Sequence, residues 1–150
     1  FLGLLQISNE FSQTNEVLSI AKNYIVNQFE EDFEASKTDK IDLLNRSIDY
    51  FKTHDAFDKK QFEKEVFYHP EMIKSFRNFD SQYRQNNQID IDDSFDISPQ
   101  AVKKQARVFK SVLKLDKNFH IYIHGNKEMI EKGVEKDGRK YYKIFYENEY

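Results

Sequence analysis

The spacing of apolar residues changes once along the chain, and that change limits the fold more than any other feature. Up to about residue 109, outside residues 84–97, apolar side chains recur every three or four positions, as one buried face of a helix requires. Over residues 17–33 the stripe is Leu18, Ala21, Ile25 and Phe29, widened by Val17, Ile20 and Tyr24. A second stripe runs Ile41, Leu44, Ile48 and Phe51 before His54 and Asp55 interrupt it. Asp58 is placed to cap a third helix, with Gln61 completing a capping-box pattern and Phe57 and Phe62 at staple positions. Pro70 suits the first position of a fourth helix, because its missing N–H would have no partner there. Met72, Phe76, Phe79 and Tyr83 then share a face.

Residues 84–97 lose the period and predict a loop, rich first in Gln and Asn and then in Asp. Ser98-Pro99 starts another helix, with Val102, Ala106 and Phe109 on its buried face. Beyond it the period becomes two. Leu113 and Leu115 flank Lys114, a turn follows at Asp116-Lys117-Asn118, and Phe119, Ile121 and Ile123 alternate with His120, Tyr122 and His124. Residues 127–132 read as a short helix closed by Gly133, Asp137-Gly138 as a turn, and residues 140–146 as a closing strand. The expected fold is α+β: N-terminal helices, then a basic helix and a small antiparallel sheet. One domain is expected over residues 1–150. Its helical part spans about 12–86, its loop about 87–97, and its helix-plus-sheet part about 98–146.

A chain of 150 residues can bury roughly 68–70 % of its unfolded surface without a metal or disulfide staple. Its 14 Phe and 9 Tyr argue against disorder. With no cysteine, disulfides, thiolate metal sites and a cysteine nucleophile are excluded. No apolar run approaches the ~20 residues of a membrane span, and no signal peptide is visible. The start at Phe1, with Leu2, Leu4 and Leu5 close behind, reads as the cut end of a longer protein.

The net charge of −3 conceals a division. Residues 1–97 hold 11 Lys+Arg against 19 Asp+Glu, a balance of −8, whereas residues 98–150 hold 12 against 7, a balance of +5. The strongest candidate site lies in the basic part. Lys103, Lys104, Arg107 and Lys110 face away from Val102, Ala106 and Phe109, so they form a cationic stripe able to neutralise phosphates and release counterions. The bland alternative is a solvated helix face. His120, Tyr122 and His124, with Lys140, Tyr142 and Lys143 in the last strand, mix base and aromatic as single-strand binders do. A half-exposed sheet face, or one covered by a helix, explains them better. The two histidines stand roughly 13 Å apart along a strand, too far to share a metal. Asp90, Asp92, Asp93 and Asp96 lack the glycine and terminal glutamate of a calcium loop and read as a solvated acidic stretch. No phosphate loop, nucleophile elbow or zinc-protease motif is present, so no catalytic residue, cofactor or metal is assigned.

The stretch SFDISPQAVKKQARVFKSVLKLDKNFHIYIHGNKEMIEKGVEKDGRKYYKIFY, residues 94–146, resembles the C-terminal region of the bacterial nucleoid-associated protein family, the NdpA-like proteins. KIDLLNRSIDYFKTHDAFDKKQFEKEVF, residues 40–67, resembles the Bacteroidetes branch of that family. The resemblance implies a cytoplasmic protein that co-localises with chromosomal DNA, a longer chain with a separate N-terminal region, and no catalytic residues to carry over.

Two functions remain open at this point. One is sequence-independent DNA binding through the basic helix, weak for this stretch alone. The other is self-association, most simply as a two-fold homodimer, or protein contact, with DNA held by an N-terminal region. No membrane partner is expected.

Overall fold

The computed structural model describes residues 2–109, 112–125 and 127–150, with side chains from residue 9 onward. It is an α+β arrangement in which helices precede small antiparallel sheets. Helix α1 (Leu2–Asn23) runs directly into a π-helical stretch, Tyr24–Gln28, and a last short piece, α2 (Phe29–Asp32). Val17, Leu18, Ile20, Ala21, Tyr24, Ile25 and Phe29 are all buried, as their spacing requires. The wider turn carries the Phe29 N–H to the Tyr24 carbonyl, five residues back. Periodicity reads this run as one helix because a single π turn hardly disturbs the apolar spacing.

Ser36 starts α3 (Lys37–Thr53) with a complete capping box: its hydroxyl accepts from the Asp39 N–H, and the Asp39 carboxylate accepts from the Ser36 N–H. Ile41, Leu44, Ile48 and Phe51 are buried along it, with Leu43, Ser47 and Tyr50 widening the face against α1 and its neighbours. Asp58 caps α4 (Lys59–Val66) by accepting from the Gln61 N–H at 2.9 Å. The Gln61 side chain does not return to the cap. The Asp58 N–H goes instead to the Tyr50 hydroxyl at 3.1 Å. The expected staple forms, with the Phe57 and Phe62 rings 5.6 Å apart. Pro70 occupies the first turn of α5 (Pro70–Asn87), which ends at Gln88 with φ at 55°.

The expected loop at 84–97 is corrected at both ends. Its first residues extend α5, and Ser94–Asp96 forms a strand, β2, paired antiparallel with β1 (Ala56–Asp58). Three residues are too few for a period of two to register. What holds the pair is the stacking of Phe57 on Phe95, centroids 4.8 Å apart. Helix α6 (Pro99–Ala106) follows, capped by the Ser98 hydroxyl.

Aromatic rings knit the helices together. Tyr24 meets Phe67 and Phe76 edge-on at 5.6 and 5.4 Å, and Phe67 stacks on Phe76 at 4.7 Å. Phe62 continues the chain of rings to Tyr50 and Phe57. Two buried carboxylates tie α4 to α5. Glu63 takes both arms of Arg77 at 2.9 Å, and Asp80 takes Arg84 at 2.8 Å and Lys59 at 3.5 Å.

The last third forms two hairpins. Strand β3 (Val112–Leu115) pairs with β4 (Phe119–Tyr122), and β5 (Ile130–Val134) with β6 (Lys140–Ile144). The helix expected at 127–132 is only a 3₁₀ turn, Lys127–Met129, and Gly133 sits inside β5 rather than ending a helix. The Tyr141 ring covers Gly133 so closely that a Cβ there would collide with it. Glycine at this place therefore admits an aromatic across the strands. Leu113 and Ile123 pack on Ile41 of α3, joined by Ile121, Ile130 and Tyr142. The strands thus fall into separate two-stranded sheets.

Lys127 pins this region to α3 through Asp39 at 3.2 Å and Asp42 at 3.8 Å. Burial pushes the Asp39 carboxyl up, but hydrogen bonds from Ser36 and Lys127 outweigh it and hold the group below its ordinary 3.8. Burial likewise pulls the Lys127 ammonium down, and the two aspartates outweigh it and raise the group.

Asp58→Ala is expected to lower stability by about 0.5–2 kcal/mol through loss of the cap. Thermal or urea unfolding measures it, and an unchanged midpoint would show that the cap contributes nothing.

Asp39 is more acidic folded than unfolded. Its stabilisation is present above its ordinary value of 3.8 and is lost as pH falls through the lower folded value. Asp39→Asn should be less stable than the parent at neutral pH and lose less on acidification. Melting curves between pH 2 and 7 check this on the order-of-magnitude scale of a single carboxylate; parallel pH profiles would remove Asp39 from the account.

Candidate nucleic-acid interface

Helix α6 is short, and its orientation depends on what lies under it. Ala101, Val102 and Gln105 are buried, and Ala106 packs against the core. The Gln105 amide donates to Asn15 Oδ1 at 2.5 Å and to Ser19 Oγ at 3.1 Å on α1. At the other end the Ser98 N–H donates to the Thr14 hydroxyl at 3.0 Å, while the Ser98 hydroxyl accepts from the Ala101 N–H at 3.3 Å. The polar ties to α1 lie on two successive turns of that helix. They fix the roll of α6 where its small apolar face alone would not.

Lys103, Lys104 and Arg107 are consequently turned outward and exposed. Among the described residues none of the three makes an ion pair. Lys104 Nζ lies 5.7 Å from the centre of the Phe11 ring. The helix ends at Ala106, sooner than its apolar spacing suggests, so Arg107 is its C-cap and the two lysines stand in its last turn. Cations there also complement the negative end of the helix dipole. Lys110 lies outside the described residues. Val102, Ala106 and Phe109 carry the opposite, inward side, as expected.

A cleft of about 450 Å³ opens between the end of α3 and α6. Phe51, Ile97, Val102 and Ala106 form its apolar lining, and Lys52, His54, Asp55 and Lys103 bring polar groups. Sequence spacing does not single out Lys52, because nothing in it shows that the last turn of α3 adjoins α6.

The mixed face of His120 and Tyr122 is exposed on β4, where Lys114 pairs with His120 and Val112 with Tyr122. Lys140, Tyr142 and Lys143 lie on β6, which pairs with β5 rather than β4. The two sets belong to different hairpins and do not make one sheet face. His124 lies beyond the end of β4. Asp90, Asp92, Asp93 and Asp96 are exposed. Among the described residues no three His, Asp or Glu side chains converge in a metal-binding group. Among those residues, too, no helix is long and apolar enough to cross a membrane.

Fold and surface together define an α+β protein whose helix α6 presents a cationic face with no ion pair among the described residues. The family model NA37, described as nucleoid-associated protein YejK, matches residues 1–139, and the chain belongs to that family. That description names association with the nucleoid and no catalytic activity. No curated protein and no solved structure matches the chain significantly.

Proposed function

We propose that the protein works in the cytoplasm at the nucleoid and contributes sequence-independent contact with duplex DNA through α6. The observation that carries this reading is the pairing of opposite properties on one helix. Its inner side is held by Gln105 and Ser98, while Lys103, Lys104 and Arg107 are exposed and unpaired among the described residues. A cation already engaged by a carboxylate must give that partner up before it meets a phosphate, and these three need not. Lys52, beside Lys103 at the cleft, extends the same positive surface. The residues that touch phosphates carry no base information, so affinity is set by charge and salt.

Self-association is supported by a different observation. Apolar side chains stand exposed on the two C-terminal hairpins, among them Phe119, Tyr122, Val134 and Ile144, and Tyr146 follows the last strand. Soluble monomers seldom leave large apolar areas uncovered. A second copy of the chain would cover them, and homo-oligomers are usually two-fold symmetric.

Replacing Lys103, Lys104 and Arg107 together by alanine should flatten the log–log salt dependence of DNA affinity by about 2–3, near 0.9 for each phosphate no longer neutralised. Stability should move by no more than about 0.5 kcal/mol per substitution. Titration of mixed-sequence duplexes from low to physiological salt measures the slope. Affinity of the parent should fall in the ~10⁻⁴–10⁻⁶ M range of non-specific binding. An unaltered slope in the triple variant removes α6 as the DNA-binding surface.

The assembly reading is checked by sedimentation across a wide range of concentration. A mass that rises towards that of two chains, and falls back in Tyr122→Ser with Ile144→Ser, supports it. A monomer at every concentration ends it.

A further inference from the structure

The helical half is acidic in total, yet one of its grooves is lined without a carboxylate. This groove lies between the last turn of α4 and the first turns of α5. Lys64, Tyr68, Ile73, Lys74, Arg77 and Asn78 line it, around a space of about 570 Å³. Lys74, Arg77 and Asn78 fall on one side of α5 at spacings of three and four, and Lys64 faces them from α4. Arg77 is engaged by Glu63. Lys64 and Lys74 are exposed and, among the described residues, make no ion pair. Three acids of this half are held by other cations: Glu63 by Arg77, Asp80 by Arg84 and Lys59, and Asp42 by Arg46.

Tyr68 stands at the mouth of this groove in an uncommon conformation. Its φ is 40°, in the left-handed region that a bulky side chain seldom adopts. The chain leaves α4 through this residue: the Tyr68 N–H still reaches the Glu63 carbonyl at 3.3 Å, and Pro70 begins α5 two residues on. The ring is therefore projected outward, and the residue is 50 % exposed. The Arg46 guanidinium lies 4.2 Å from the ring centre. Arg46 is itself anchored by donating to the Glu65 carbonyl at 2.9 Å. The result is an aromatic platform braced by Arg46 and by the tilted His69 ring, 4.6 Å away between centroids, beside two ammonium groups that make no ion pair among the described residues.

We propose that this groove binds a single-stranded stretch of nucleic acid, with an unpaired base stacked on Tyr68 and neighbouring phosphates on Lys64 and Lys74. A duplex keeps its bases stacked on one another and offers no free ring face to Tyr68. A single strand offers both a ring and closely following phosphates, the two things the groove supplies partners for. This site is separate from α6 and does not depend on it.

Fluorescence anisotropy with a labelled oligothymidine of about 12 nucleotides, within the usual range of single-strand sites, tests the assignment beside a labelled duplex. Tyr68→Ala should weaken oligothymidine binding roughly 5- to 150-fold, the range expected when one stack is removed, and leave duplex binding unchanged. Tyr68→Phe should keep it. Tyr68→Gly, which accepts a positive φ without strain, should lose binding as the alanine variant does while folding at least as well. Lys64→Ala with Lys74→Ala should flatten the single-strand salt slope by about 1.4, at ~0.7 per phosphate. The triple α6 variant should bind oligothymidine as the parent does. Failure of oligothymidine to bind, or equal binding by the parent, Tyr68→Ala and Tyr68→Gly, overturns the proposal. Either result leaves the duplex reading of α6 to stand or fall on its own titration.

Discussion

The Tyr24 ring is fully buried and touches Phe29, Phe67, Phe76 and Phe79, rings from three different stretches of the helical half. Its hydroxyl donates to Ser75 Oγ at 2.8 Å, and the Ser75 hydroxyl in turn donates to Asp32. Burial raises the phenol well away from ionisation, so the ring stays neutral in its apolar surroundings. Through Phe67 and Phe62 the packing passes on to Tyr50, Phe51, Phe57 and Phe95. Each ring pair of this kind adds about 0.5–1.5 kcal/mol beyond the area it buries. A chain with a modest apolar content thus closes its helices around a few large flat groups. The exits from this core then determine what the surface shows: the turn after Phe67 projects Tyr68, and the strand after Phe95 delivers Ser98 and α6.

Buried charge has a second consequence. Glu63 and Asp80 are almost completely buried, and each is answered by an arginine of α5. Removing Arg77 would leave the buried Glu63 carboxylate without its cation, at a cost on the order of a few kcal/mol, whereas the half-exposed guanidinium is the less costly partner to strand. Arg84 also donates to the Ile91 carbonyl at 3.1 Å, which ties the start of the acidic stretch to α5. Cations used in this way are kept from a ligand. Lys64 and Lys74 differ in that they are exposed and, among the described residues, make no ion pair.

Periodicity makes the long helices legible. Ile41, Leu44, Ile48 and Phe51 repeat over successive turns, and their burial follows directly. The caps at Asp58 and Ser98 are equally plain, because a cap is a local interaction between residues three apart. Features that rest on distant partners are not. β1 and β2 are three residues each and exist because Phe57 finds Phe95 across 38 positions of sequence. Gly133 reads as a helix stop, and only its register opposite Tyr141 shows that it belongs inside a strand. Of the candidate site, the outward stripe of Lys103, Lys104 and Arg107 is legible from its spacing against Val102 and Ala106. Gln105, the residue that fixes the roll of the helix by bonding to Asn15 and Ser19, is not, since a polar residue on an apolar face carries no sign of its partner.

Net charge is the least informative quantity, and screening explains why. At physiological ionic strength a charge is felt over about 8 Å, far less than the breadth of a protein this size. A phosphate approaching α6 would therefore respond to Lys103, Lys104, Arg107 and Lys52, and to Asp55 in the same cleft, and hardly to acids on the far side of the helical half. The overall −3 acts at longer range, and only when salt is low enough for the field to extend. Lowering salt strengthens each phosphate interaction, but it also lets the distant carboxylates be felt. An acidic protein with local basic surfaces is consequently better suited to binding that is weak, reversible and independent of sequence than to tight wrapping of DNA. For a nucleoid-associated chain whose charge is partitioned in this way, contact with DNA through these surfaces would depend on the placement of a few cations that make no ion pair among the described residues, rather than on their total.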